Sequence, residues 1–203
     1  MGKRTFRILS IDGGGIRGVF PAKFLAELEG QLKLNGVKKC HIFEHFDLIT
    51  GTSTGGILAL GLSLGIPALR MYELYKSNAK AIFGKKKCFV QSLQYSGHDR
   101  TCLEKLIREE FQQAFGGMDP TLENCKKPVC IPIYDLMEGR PSVLKSRYHK
   151  AFNRDYHIPA YQAALATSAA PTYFDPYNSA YIDGKGIDQV FSNKVDGGVF
   201  ANN

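Results

Sequence analysis

A serine framed by glycines, Gly51-Thr52-Ser53-Thr54-Gly55-Gly56, stands between a strand-like run at residues 46–50 and a helix-like run at residues 57–62. That order dictates a strand, an abrupt turn and a helix, the arrangement known as a nucleophile elbow. Side chains flanking the serine would strike neighbouring backbone, so Gly51 and Gly55 fit there. Ser53 is then expected in a strained conformation, with its hydroxyl exposed and the positive end of a helix behind it. The bare string is a weak sign; the strand and helix around it make it a strong one.

The rest of the chain alternates in the same way. Residues 6–11 read as a first strand. Asp12-Gly13-Gly14-Gly15-Ile16-Arg17-Gly18 is a tight glycine loop, and residues 20–34 carry Phe24, Leu25, Leu28 and Leu32 at helical spacing. The elbow helix runs to Gly65, and Pro67 opens a helix over residues 68–80. Residues 101–115 form an amphipathic helix ended by Gly116-Gly117. Residues 128–135 and 142–148 read as a third and fourth strand, 161–168 as a small-residue helix, and 175–190 as a loop or hairpin. Residues 191–195 lead into Asp196-Gly197-Gly198. The basic, turn-rich stretch 83–100 reads as a loop or lid, with Lys85, Lys86, Lys87, Phe89 and Tyr95 as candidates for membrane contact. This alternation predicts an α/β fold: one domain over residues 1–203, a three-layer α/β/α sandwich around a mainly parallel central sheet.

Composition narrows the function classes. The 203 residues are 44% hydrophobic and 22% charged, ordinary for a soluble globular chain. No apolar run reaches membrane-spanning length. The basic start lacks the apolar length of a signal peptide, and Phe6 stands where myristoylation needs Ser or Thr. Five cysteines, an odd number without C-x-x-C spacing, argue for reduced thiols in a cytoplasmic setting rather than a disulfide frame or a zinc site. The net charge of +7 gathers in lysine runs. Each run alone reads as solvated loop; together they favour an anionic surface such as phospholipid. A nucleic-acid polymer is disfavoured, because no binding motif accompanies the charge.

Three glycine motifs fall at or near strand ends, which gather at one edge of an α/β sheet. Successive amides of Gly13, Gly14 and Gly15 can converge as an oxyanion hole, with Arg17 and Gly18 supporting them. Ser53 supplies a nucleophile, and Asp196, followed by Gly197 and Gly198, supplies a carboxylate able to reach it. The spacing Gly13-x-Gly15-x-x-Gly18 also matches a dinucleotide fingerprint, but no acidic residue lies in residues 31–39, roughly twenty positions on, to hold a ribose. An ordinary hydrolase triad would need a histidine after the acid. His41, His45, His98, His149 and His157 all precede Asp196, and His98 and His157 are the hardest to dismiss. Asp183-Gly184 reads as a hairpin turn, Asp47 as a structural carboxylate and Asp196 as the base. A lipid- or nucleotide-binding module without turnover is the reading of another class, and it would need an incomplete catalytic set.

The three motifs, in this order, resemble the patatin-like phospholipase family, as does Ala166-Thr167-Ser168-Ala169-Ala170-Pro171-Thr172-Tyr173-Phe174. The likeness covers nearly the whole chain and is nearest the soluble bacterial and plant branch. It implies a lipid acyl hydrolase of phospholipase A type, with Ser53 as nucleophile, Asp196 as base and the Gly13–Gly15 amides as oxyanion hole. It also implies independence of calcium, no metal and no cofactor. A phospholipid or other acyl lipid would be the substrate, with peripheral contact to a membrane. Some bacterial relatives are toxins, or defence effectors switched on by a small nucleotide. Family members continue past the Asp-Gly-Gly motif, so the expectation is a domain cut short after Asn203.

Overall fold

The computed structural model describes residues 5–83 and 99–202, with the backbone alone over residues 79–83. The expected lid, with Lys85, Lys86, Lys87, Phe89 and Tyr95, lies outside the described residues, as do Cys88 and His98. Among the described residues six strands form the sheet: β1 (Ile8–Ile11), β2 (Leu48–Gly51), β3 (Val129–Asp135), β4 (Arg140–Lys145), β5 (Tyr177–Ile182) and β6 (Asp188–Asp196). The α-helices among the described residues are α1 (Val19–Leu34), α2 (Thr54–Leu64), α3 (Ala68–Phe83), α4 (Thr101–Ala114) and α5 (Ala160–Thr167).

The α/β class expected from the sequence is observed, with helices flanking a sheet that is mixed rather than mainly parallel. β1, β2 and β3 pair in parallel, while β4 and β6 run antiparallel to β3 and β5 antiparallel to β6. Connection length is the reason for the β3–β4 and β5–β6 pairs. Residues 136–139 and 183–187 are too short for a crossover and can only turn the chain back. Asp183 holds the second turn, its carboxylate accepting from Lys185 N–H at 2.8 Å and Ile187 N–H at 3.0 Å. Asp47 is structural too, accepting from Arg7 N–H at 2.9 Å where the chain enters β1.

α2 is buried along its entire length. A helix apolar on all sides needs cover on all sides. It lies against β1, β2 and β3 and is enclosed by α3, α4 and α5, while α1 packs on α3. Glu29 ties this side together from the interior: its carboxylate accepts from Ile42 N–H and from Ala68 N–H at the start of α3, both at 2.9 Å. Among the described residues no helix is long and apolar enough to cross a membrane.

β3 is where the sheet branches. Cys130 pairs with both Thr50 of β2 and Lys145 of β4, and Ile133 with both Asp196 of β6 and Ser142 of β4. A strand has two edges, so β4 takes one and β2 and β6 divide the other. β2 runs with β3 and β6 against it, so the two approach end to end, with Ile131 and Pro132 between them. In a ladder, N–H and C=O of one residue face the same edge. Pro132 C=O accepts from Thr167 Oγ1 at 2.6 Å, and a Cβ on Gly197 would lie 2.3 Å from that oxygen. Proline's missing N–H therefore faces the gap, where among the described residues no strand waits to receive it.

Candidate active site

The end of β2 delivers Ser53 as the N-cap of α2, with φ 56° and ψ −128°. A non-glycine residue there carries strain of about 1–3 kcal/mol, which its surroundings must hold. Gly56 N–H and Ile57 N–H donate to Ser53 C=O at 2.9 and 3.1 Å, and Ser53 N–H donates to Thr167 Oγ1 at 3.2 Å. Gly51 and Gly55 serve close approach, as expected. A Cβ on Gly55 would lie 2.1 Å from Ile11 C=O, and one on Gly51 would lie 2.3 Å from Gly55 C=O.

The end of β6 delivers Asp196, only 4% exposed. Gly198 N–H donates to its Oδ1 at 2.7 Å. Burial raises the carboxyl above its ordinary range, while hydrogen bonds from the Ser53 hydroxyl and Gly198 N–H pull it partway back. Ser53 and Asp196 line one cleft of about 270 Å³, together with Gly13, Gly14, Gly15 and Asn202. Among the described residues, no histidine lines that cleft or the second cavity at Ser53. His157 instead sits on the Tyr156 ring and against Gly184 of the β5–β6 turn.

The glycine loop lies directly on the serine: a Cβ on Gly13 would fall 2.7 Å from Ser53 Cβ. Gly13 N–H is already engaged, donating to Asn202 Oδ1 at 2.8 Å. Among the described residues, no bond from Gly14 N–H or Gly15 N–H to a protein acceptor is found, which leaves those two amides available. The loop closes through Arg17 N–H donating to Gly14 C=O at 3.1 Å and a tight turn over Gly15–Gly18. Arg17 is exposed at the rim, and Gly18 is buried against the Thr54 side chain.

Two residues of this assembly were not singled out as candidates. Thr167 bridges the elbow and the sheet gap with one hydroxyl, accepting from Ser53 N–H and donating to Pro132 C=O. Asn202 straps the end of the chain to the glycine loop, and its neighbour Ala201 C=O accepts from Thr52 Oγ1 at 2.7 Å. Thr167 lies in the Ala166–Phe174 stretch that carries part of the family resemblance; Asn202 carries no local signal beyond following the Asp-Gly-Gly motif.

The model of the family described as patatin-like phospholipase matches residues 9–203. The chain belongs to that family. It is 37% identical over 211 residues to a cGAMP-activated phospholipase of Vibrio cholerae, covering 99% of this chain and 56% of that protein. It is 36% identical over 209 residues to one of Escherichia coli, covering 99% and 54%. The chain thus spans about half the length of the curated relatives it matches. Among solved structures, full-length ExoU of Pseudomonas aeruginosa in complex with SpcU aligns with a TM-score of 0.54 at 17% identity, over 85% of this chain and 40% of that one. At that identity the likeness bears on the fold alone: a patatin-like mixed sheet with flanking helices.

Proposed function

We propose that the protein is a calcium-independent lipid acyl hydrolase of phospholipase A type working through a Ser53–Asp196 dyad. One observation carries this reading: Ser53 and the buried Asp196 carboxylate line a single cleft with Gly14 and Gly15, whose amides meet no protein acceptor among the described residues. Asp196 takes the Ser53 proton as Oγ bonds the ester carbonyl carbon. The carbonyl oxygen becomes an oxyanion facing Gly14 N–H and Gly15 N–H, each worth about 3 kcal/mol at such a site. Collapse expels the leaving alkoxide, which recovers the proton from Asp196 and leaves the acyl group on Ser53. Water, deprotonated by Asp196, then releases the fatty acid and restores the serine. A free aspartate is a weak base for a hydroxyl, and burial improves it.

Residues 1–203 form the catalytic domain in this reading, and it works in the cytoplasm at a membrane surface. A small nucleotide is the proposed activator of the whole protein, since the relatives' names specify activation by cGAMP. The test is labelling by a fluorophosphonate, which reports an activated serine. Wild type should label, Ser53→Ala should not, and Asp196→Asn should label at least a hundredfold more slowly. Mass analysis of products from mixed lipids, with calcium chelated and with or without cyclic dinucleotide, should show released fatty acid. Labelling that persists in Ser53→Ala would overturn the assignment, and a correctly folded wild type that never labels would favour a binding module.

A further inference from the structure

Two cavities meet at Ser53, and their linings differ in kind. One is the 270 Å³ cleft on the Asp196 side, walled by glycine backbone, Asn202 and Val199. The other, about 520 Å³, runs inward between α2, α3 and α4, bounded by Ile16, Ile57, Tyr75, Leu103, Tyr173 and Phe174. Exposure orders this second cavity from rim to floor. Ile16 and Tyr173 are 51% and 57% exposed, whereas Ile57, Tyr75, Leu103 and Phe174 are all below 8%. Gly14, Gly15, Arg17 and Ser53 stand at its more exposed mouth, and the polar groups deeper in are turned to the protein itself. Tyr75 OH donates to Thr54 C=O at 3.0 Å, and Ser168 Oγ donates to Ala164 C=O at 2.7 Å. Among the described residues Thr54 Oγ1 meets no hydrogen-bond partner, but it is buried from solvent, close to Gly18. A polar group would go unsatisfied at the buried end of this space; a hydrocarbon chain needs no partner there.

From this contrast we infer that the inner cavity receives the acyl chain and the outer cleft the leaving group, with Leu103 and Tyr75 at the floor setting the acyl length that fits. The inference rests on the dyad reading, because the leaving alkoxide must sit beside Asp196 to recover its proton, and that places the alcohol half of the ester in the outer cleft. The inner wall is braced from outside. The Arg100 guanidinium, one residue before α4, lies 5.5 Å from the centre of the Phe174 ring and 5.2 Å from that of Tyr177, joining the start of α4 to the segment that carries Phe174. Leu103 follows one turn later, so its side chain is a fixed stop.

The experiment compares kcat/KM for 4-nitrophenyl esters from acetate to palmitate, which share one leaving group, with active sites titrated by fluorophosphonate in every sample. Leu103→Phe should lower the palmitate-to-butyrate ratio by about tenfold or more, and Leu103→Ala should raise it. Val199→Trp, in the outer cleft, should instead alter preference among esters of different alcohols at fixed chain length. Unchanged chain-length profiles in both Leu103 variants, with Ser53 labelling in each, would overturn the inference and leave the dyad standing. If Leu103→Phe fails to fold, Leu103→Ala and Val199→Trp decide it. Absence of labelling in wild type would instead strike the dyad reading beneath it.

Discussion

An aspartate that accepts a proton from a hydroxyl must be ionised to work, and Asp196 sits where burial makes ionisation harder. Its raised pKa has two consequences of known sign. The acid limb of a kcat/KM profile should lie above the ordinary aspartate value of 3.8. For stability, the folded state binds the proton more tightly than the unfolded one, so the carboxylate costs stability as pH rises through the folded pKa. Below 3.8 both states are protonated and the cost vanishes. Asp196→Asn should therefore melt at or above the wild-type temperature at pH 7, with the difference closing as pH falls toward 4. A variant that melts well below wild type at pH 7 would show that the carboxylate stabilises the fold.

Between the elements, the decisive feature is the gap on β3 where β2 and β6 converge. Thr167, fully buried at the end of α5, spans it with one hydroxyl. Thr167→Val keeps the shape and removes that oxygen, leaving Ser53 N–H and Pro132 C=O without their partner. A loss of about 1–3 kcal/mol in urea unfolding is expected. Fluorophosphonate labelling of Ser53 should slow by about tenfold as the strained turn relaxes, and Thr167→Ser should restore most of both. Equal labelling in the valine variant would mean that the elbow holds itself.

Across the whole molecule, an exposed apolar row lies near the site and the net charge is positive. Phe20, Phe24 and Leu28 form a row along α1, 76%, 62% and 40% exposed, one turn beyond Ile16 at the rim of the inner cavity. The net charge of +7 would draw that row toward anionic lipid. Co-sedimentation with phosphatidylserine vesicles should weaken as salt rises through the range that screens surface charge. Replacing both Phe20 and Phe24 by serine should cut vesicle binding roughly tenfold or more. Binding indifferent to salt and to both substitutions would argue against membrane contact through this face.

Ser53 in its strained turn, the tight glycine loop before α1 and the Asp183 hairpin were legible in the sequence. Each depends on the sterics of a few consecutive residues, and only glycine or a short polar side chain satisfies them. The antiparallel direction of β4 escaped the sequence reading, although a four-residue connection does force it. What the chain's order of letters leaves open is which strand ends face each other. The meeting of β2 and β6 over Pro132 depends on register with β3, and the Gly13–Asn202 bond joins residues 189 apart. Such contacts form only where packing brings distant segments together. Tertiary structure alone therefore decided that Gly13 N–H would be occupied, that Thr167 would brace the serine, and that the buried carboxylate would lie beside it.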